Sequence, residues 1–242
     1  MTTPISLLLR RFPLSDSPVA VEHQNPALRH HFADMDQQRD AASLGMWVFL
    51  ATEIMFFGGM FCAYLIYRYW YYYEFAAGSR TLDIGLGTIN TAVLICSSLT
   101  VALGVRAAQL GKRKLLVILL LLTLVFGLAF LGIKAVEWTT KFEEHHIPGY
   151  SFHFEQTELQ GNQLDPRHAQ IFFSLYFAMT GMHALHMIIG VGIFGVITFF
   201  AWKGRYTPEY HTPVEISGLY WHFVDIVWIY LFPLLYLIDR KR

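Results

Sequence analysis

Near the C-terminus runs the stretch "YWHFVDIVWIYLFPLLYL", residues 220–237. It is apolar and close to the roughly 20 residues a helix needs to cross a bilayer, yet His222 and Asp225 lie in its first turns. A charged Asp at the bilayer centre costs about 2.5–3.5 kcal/mol on insertion scales. A helix carrying both groups is expected to face other helices, where an imidazole and a carboxyl find partners. Read this way, the stretch is one member of a membrane-embedded bundle, and the rest of the chain is to supply the other members.

Working outward, four further apolar segments qualify as spans: Leu44 to Tyr67, Leu86 to Arg106, Leu115 to Val136 and Ile171 to Trp202, with the last span running from Leu219 to Ile238. The fourth is longer than a bilayer needs and is expected to tilt or protrude. Lipid cannot satisfy open backbone groups, so all five are expected to be helical. The predicted fold is therefore all-α and integral to the membrane: a five-helix domain, residues 44–242, behind a polar N-terminal tail, residues 1–43. Pro4, Pro13, Pro18 and Pro26 punctuate that tail, which reads as mobile or peripherally docked.

Composition agrees with this class. The chain has 242 residues, 55% of them hydrophobic, and a mean hydropathy of +0.39. Lys plus Arg and Asp plus Glu each total 18, which gives no electrostatic reason for a nucleic-acid partner. Cys62 and Cys96 fall inside apolar blocks and read as small buried side chains, not as a disulfide framework. There is no C-x-x-C-H haem-attachment motif, and Arg10 and Arg11 lead into polar sequence, unlike a secretory signal.

Aromatic residues gather at span ends, in "YRYWYYYEF" (67–75) and at Trp202, Tyr206 and Tyr210, as an interfacial belt does. Gly58 with Cys62 and Gly59 with Ala63 have the small-x-x-x-small spacing that permits close helix contact. The short basic loop "RAAQLGKRK" (106–114) favours a cytoplasmic N-terminus, while the basic "DRKR" end argues mildly the other way. No internal repeat is found, so the architecture of an inverted-repeat transporter has no support.

The residues that could carry chemistry are the ionisable and amide groups within the spans. Glu53 lies inside the first, Asn90 and Thr91 open the second, Glu137 ends the third, and His183 and His186 share the fourth in "TGMHALHMIIG". Such groups face the bundle interior and pair with one another. His183 with His186, and His222 with Asp225, are three residues apart and fall on one helix face. A proton relay or metal site is one reading; a hydrogen-bonded plug that fixes helix register is the commoner one. Copper or zinc needs three or four converging ligands and haem a roomy pocket with an axial His; the pattern does not point to either, so no metal or other redox cofactor is expected in this chain. Glu53 has no cation among its sequence neighbours, which leaves two readings, a quiet hydrogen-bond donor and a proton-holding site. The segment 138–169 is acidic through Glu143, Glu144, Glu155, Glu158 and Asp165, and its His145, His146, His153 and His168 read as solvated loop residues.

Five motifs together, "WVFLATEIMFFGGMFCAY" (47–64), "INTAVLICSS" (89–98), "KAVEW" (134–138), "MHALHMIIG" (182–190) and the opening stretch, resemble subunit III of the haem-copper cytochrome c oxidases, in the family's order. The "KFEEHHIPGY" loop (141–150) looks more like bacterial cytochrome c oxidase members than quinol oxidase members. The resemblance implies an accessory, non-redox subunit of a proton-pumping oxidase of aerobic respiration, multi-pass in the bacterial inner (plasma) membrane. Its partners would be subunit I, which holds the haems and copper, and subunit II, with cytochrome c met indirectly and phospholipid bound; membership of a respiratory supercomplex stays open. The implied roles are stabilisation of subunit I, lipid binding and support of proton uptake. Glu53 matches the family's carbodiimide-reactive intramembrane carboxylate, and His222 and Asp225 its last-helix motif; neither is expected to catalyse. Longer members have two further helices forming one arm of a lipid cleft, and here a polar tail stands in their place. A quinol oxidase or nitric oxide reductase partner is the nearest alternative, and an independent proton-coupled transporter the remote one.

Overall fold

In the computed structural model, residues 28, 31–149, 152–154, 156–159 and 161–238 are described. The tail prolines, Glu155 and the basic "DRKR" end therefore lie outside the described residues. The chain separates into two compact units, Met1–Gln38 and Arg39–Arg242. In the first, the Asp34 carboxylate accepts from the Gln37 amide at 2.7 Å, an N-terminal cap. Helix α1, Met35–Trp70, begins there and runs on through the second unit.

The second unit continues with α2 (Tyr72–Arg80), α3 (Ile84–Gln109), α4 (Arg113–Glu143), a two-residue antiparallel pair β1 (Glu158–Leu159) and β2 (Asn162–Gln163), α5 (Pro166–Trp202) and α6 (Thr212–Tyr236). Five of these helices are long and apolar enough to cross a membrane. All five spans begin earlier than their apolar cores suggest, and α1, α3 and α4 also end later; α1 starts nine residues before Leu44 because "DQQRDAAS" is polar but helix-compatible. The short α2 begins inside the aromatic run that read only as a belt and continues past it, and its Phe75, Ala76 and Ala77 are fully buried.

Local chemistry sets the ends. Asp83 caps α3 by accepting from Leu86 N at 3.2 Å. Asp165 caps α5 by accepting from Arg167 N at 2.8 Å, with Pro166 at the first position. Gly111 and Gly204, at φ +67° and +77°, close α3 and α5 in the left-handed region that a Cβ disfavours.

The core is aromatic. Trp221 and Trp228 of α6 are fully buried, and the Trp221 ring lies between Gly127 of α4 and Gly190 of α5, where the absent side chains make room for it. Tyr64 of α1 donates to the Leu234 carbonyl at 2.8 Å, satisfying one of the orphan acceptors at the end of α6. The close contact that the small-residue spacing of α1 permits is not used at these glycines. Among the described residues nothing lies within 4 Å of a Cβ built at Gly58 or Gly59, so these glycines face outward. Cys62 and Cys96 are also exposed, not buried, both as free thiols.

Candidate functional site: three polar clusters in the bundle

The first cluster joins α1 to α5. Glu53 Oε2 lies 3.1 Å from His186 Nε2, and His186 Nδ1 lies 2.9 Å from the Met182 carbonyl. A carbonyl can only accept, so Nδ1 carries a hydrogen. The remaining contact is then either a carboxylic acid donating to a neutral ring or an imidazolium donating to a carboxylate. In both cases the pair is net neutral and holds one proton between Oε2 and Nε2. Phe57 packs edge-on against the imidazole at 5.3 Å, and Tyr220 of α6 donates to the His186 carbonyl at 2.9 Å. The partner missing from the sequence around Glu53 is thus supplied by a residue 133 positions away.

The second cluster joins α4, α5 and α6. Glu137 does not end its helix; α4 continues to Glu143, and Glu137 is buried in it. Lys134, one turn earlier, holds Glu137 Oε2 at 3.0 Å and Tyr236 Oη at 2.6 Å, and lies 4.8 Å above the Trp228 ring. Glu137 Oε1 accepts from Tyr176 Oη at 2.7 Å and also from Tyr236 Oη. Two opposite charges are removed from water here and each is surrounded by partners, the condition under which a buried pair can be held. Sequence reading missed Lys134. Its signal was a Lys and a Glu three apart in an otherwise apolar helix, in "KAVE".

The third cluster is a seam between α3 and α6. Trp228 Nε1 donates to Thr91 Oγ1 at 3.1 Å, Trp221 Nε1 donates to Ser97 Oγ at 2.7 Å, and Ser98 Oγ meets His222 Nδ1 at 2.7 Å. Asn90 is buried two turns inside α3, which begins at Ile84, so it does not open that helix. Its amide finds no hydrogen-bond partner among the described residues.

The expected same-face pairs do not form. Three residues along a helix turn a side chain by about 60° from its neighbour, enough to aim the two at different helices. His186 turns to Glu53, while His183 packs between Phe130 and Trp228, at 5.4 and 5.2 Å, without a hydrogen bond. His222 turns to Ser98. Asp225, 2% exposed, has Ser98 beside it, but both its oxygens lack a hydrogen bond of good geometry. Among the described residues no three His, Cys, Asp or Glu side chains converge as metal ligands. Two of the histidines expected to be solvated loop residues are docked: His146 stacks on Phe173 at 4.8 Å and meets Glu144 at 3.0 Å, and His168, in the first turn of α5, stacks on Tyr71 at 3.8 Å.

Fold and clusters define a multi-span helical membrane protein whose ionisable groups are largely paired with one another inside the bundle. The family model for cytochrome c oxidase subunit III matches residues 167–239. The chain is 33% identical to the cytochrome c oxidase subunit 3 of Thermostichus vulcanus, over 91% of this chain and 98% of that one. It is 29% identical to the quinol oxidase subunit 3 of Bacillus subtilis (strain 168), over 85% and 92%. It is also 30% identical to the cytochrome c oxidase subunit 3 of Cyprinus carpio, over 79% of this chain and 67% of that longer one. The chain belongs to the cytochrome c oxidase subunit III family.

Proposed function

We propose that this chain is the accessory subunit of a haem-copper oxidase, packed in the membrane beside the subunit that holds the haems and copper, and itself outside the electron path. The observation that carries the reading is similarity along nearly the whole chain to a cytochrome c oxidase subunit 3, combined with a five-span bundle. Within the complex the chain stabilises subunit I, contacts subunit II and phospholipid, and supports proton uptake through the Glu53–His186 pair. The remaining clusters lock helices together. Cytochrome c is the donor on this reading; the 29% identity to a quinol oxidase subunit 3 supports quinol as the second reading. The site is a bacterial plasma membrane, with the basic 106–114 loop and the N-terminus on the cytoplasmic side.

The test is isolation of the tagged chain in mild detergent with mass spectrometry of what accompanies it. Subunits I and II in equal amount are expected. Oxidation of reduced cytochrome c, and not of quinol, by the isolated complex separates the two donors.

A further inference from the structure

Glu53 uses only one of its two oxygens within this chain. Oε2 meets His186 Nε2 at 3.1 Å, while Oε1 has no partner among the described residues and is not closed off by them. The side chain is 19% exposed. Its depth makes that exposure matter. At the helical rise Glu53 lies about 14 Å from Leu44 and about 21 Å from Tyr67, the ends of the apolar stretch. That is near the middle of a hydrocarbon core about 30 Å thick, where acyl chains offer no hydrogen-bond donor. One turn away on α1, Phe49 and Phe56 are exposed, and one turn away on α5, so is Ile189. Behind the pair α6 closes the site, with Tyr220 on the His186 carbonyl and Phe223 edge-on to Phe57 at 6.1 Å. Thr52, the exposed hydroxyl beside Glu53 in sequence, already donates to the Phe49 carbonyl at 2.6 Å.

We propose that the outer side of the Glu53–His186 pair is a docking site for a membrane-spanning helix of another oxidase subunit, which covers Phe49, Phe56 and Ile189 and donates a neutral hydrogen bond to Glu53 Oε1. A lipid chain could cover the three apolar residues, but it would leave Oε1 without a donor and with the full desolvation cost of its lone pairs. A helix brings a side chain to this depth with its own backbone groups satisfied. The donor is neutral because the pair it meets is net neutral. A Lys or Arg there would carry an uncompensated charge into the hydrocarbon, whereas a hydroxyl, amide or indole adds none. Whether the proton sits on Oε2 or Nε2, Oε1 remains an acceptor, so the contact survives either state of the pair. The inference rests on the subunit III reading for the kind of partner, and adds to it the place where that partner touches.

The experiment has two arms, both on the full chain in its native membrane. In the first, the photo-crosslinker p-benzoylphenylalanine stands in place of Phe56 or of Ile189, and irradiation precedes isolation through a tag on this chain. Mass spectrometry is expected to find both positions joined to one spanning segment of another subunit. In the second arm, the Glu53→Leu, His186→Leu double variant removes the acceptor without stranding either half of the pair. Retention of the partner subunit through a mild-detergent wash is expected to fall about tenfold. Glu53→Gln keeps an acceptor oxygen and is expected to retain the partner as wild type does. If the double variant does not fold, the crosslinks decide, since neither position touches the shared proton. Crosslinks only to phospholipid, only to a second copy of this chain, or to nothing overturn the docking site, as does equal retention by the double variant. A wild-type chain that recovers no other subunit overturns the subunit III reading along with it.

Discussion

Glu53 of α1 and His186 of α5 face each other at 3.1 Å, with the far nitrogen of the imidazole fixed by the Met182 carbonyl. One proton is held between them whichever group formally owns it. That arrangement removes the net charge that would otherwise make a mid-helix carboxylate costly in lipid, and it places one shared proton between α1 and α5.

Glu53→Gln separates these two properties. A Gln amide can donate to the neutral His186 Nε2, so the bridge between α1 and α5 survives while the shared proton is lost. Assembly is expected to be unchanged and stability to shift by about 1 kcal/mol or less. A hydrophobic carbodiimide is expected to label Glu53 in preference to the loop carboxylates, and the variant to lose that label. Oxygen consumption and proton release in reconstituted vesicles are expected to show slower proton uptake or faster inactivation during turnover. Identical rates, pumping ratios and lifetimes would confine Glu53 to a structural role.

The Lys134–Glu137 pair behaves oppositely. Lys134→Met leaves Glu137 as a buried charge with only phenols as partners, and Glu137→Leu leaves Lys134 stranded. Each is expected to cost about 3–5 kcal/mol, seen as a lower thermal midpoint or loss of folded chain. Replacing both together is expected to recover much of the loss. Equal losses in single and double variants would show that the surrounding tyrosines, not the ion pair, are what matter.

Both clusters mark the limit of what the sequence could reveal. The five spans were legible because lipid imposes continuous apolarity, but polar helical turns such as "DQQRDAAS" carry no such signal, so helix ends were not. That Glu53, Glu137, His186 and His222 would be engaged inside the bundle followed from the cost of leaving them unpaired. Their partners did not follow, because Glu53 and His186 meet across 133 residues and only packing brings them together. Asp225 was expected to pair, and among the described residues neither of its oxygens has a hydrogen bond of good geometry; the spacing at Gly58 and Gly59 permitted close helix contact, and both glycines face outward. In each case helix rotation, which one sequence does not fix, decided the outcome.

Helix approach at Trp221 gives a packing prediction. A Cβ on Gly127 would come within 2.8 Å of Trp221 Cη2 and 3.1 Å of Val191 Cγ2, with no flexible end to yield. Gly127→Ala is expected to destabilise by about 1–3 kcal/mol. Gly132→Ala on the same helix, with nothing within 4 Å, is expected to be neutral or slightly stabilising. Thermal unfolding of the two variants side by side checks the difference, and equal midpoints would show that the Trp221 ring can move aside.

Loss of Ser97 tests the seam. Trp221 Nε1 is a donor with no other chemistry, and Ser97 Oγ at 2.7 Å is its acceptor. Ser97→Ala strands that donor in the core and is expected to cost about 1–3 kcal/mol. The companion Trp221→Phe, Ser97→Ala double variant is expected to cost less than the sum of the singles. Additive losses would mean that the bond contributes little.

The central claim is that this chain works as a non-redox member of a haem-copper oxidase. The most direct measurement is the visible spectrum and oxygen consumption of the complex recovered through a tag on this chain in mild detergent. The account predicts haem absorbance from co-isolated subunits, oxygen consumption with a reduced donor, and loss of the haem absorbance when this chain is dissociated and isolated alone. A chain recovered by itself, colourless and able to move protons across liposome membranes unaided, would contradict it.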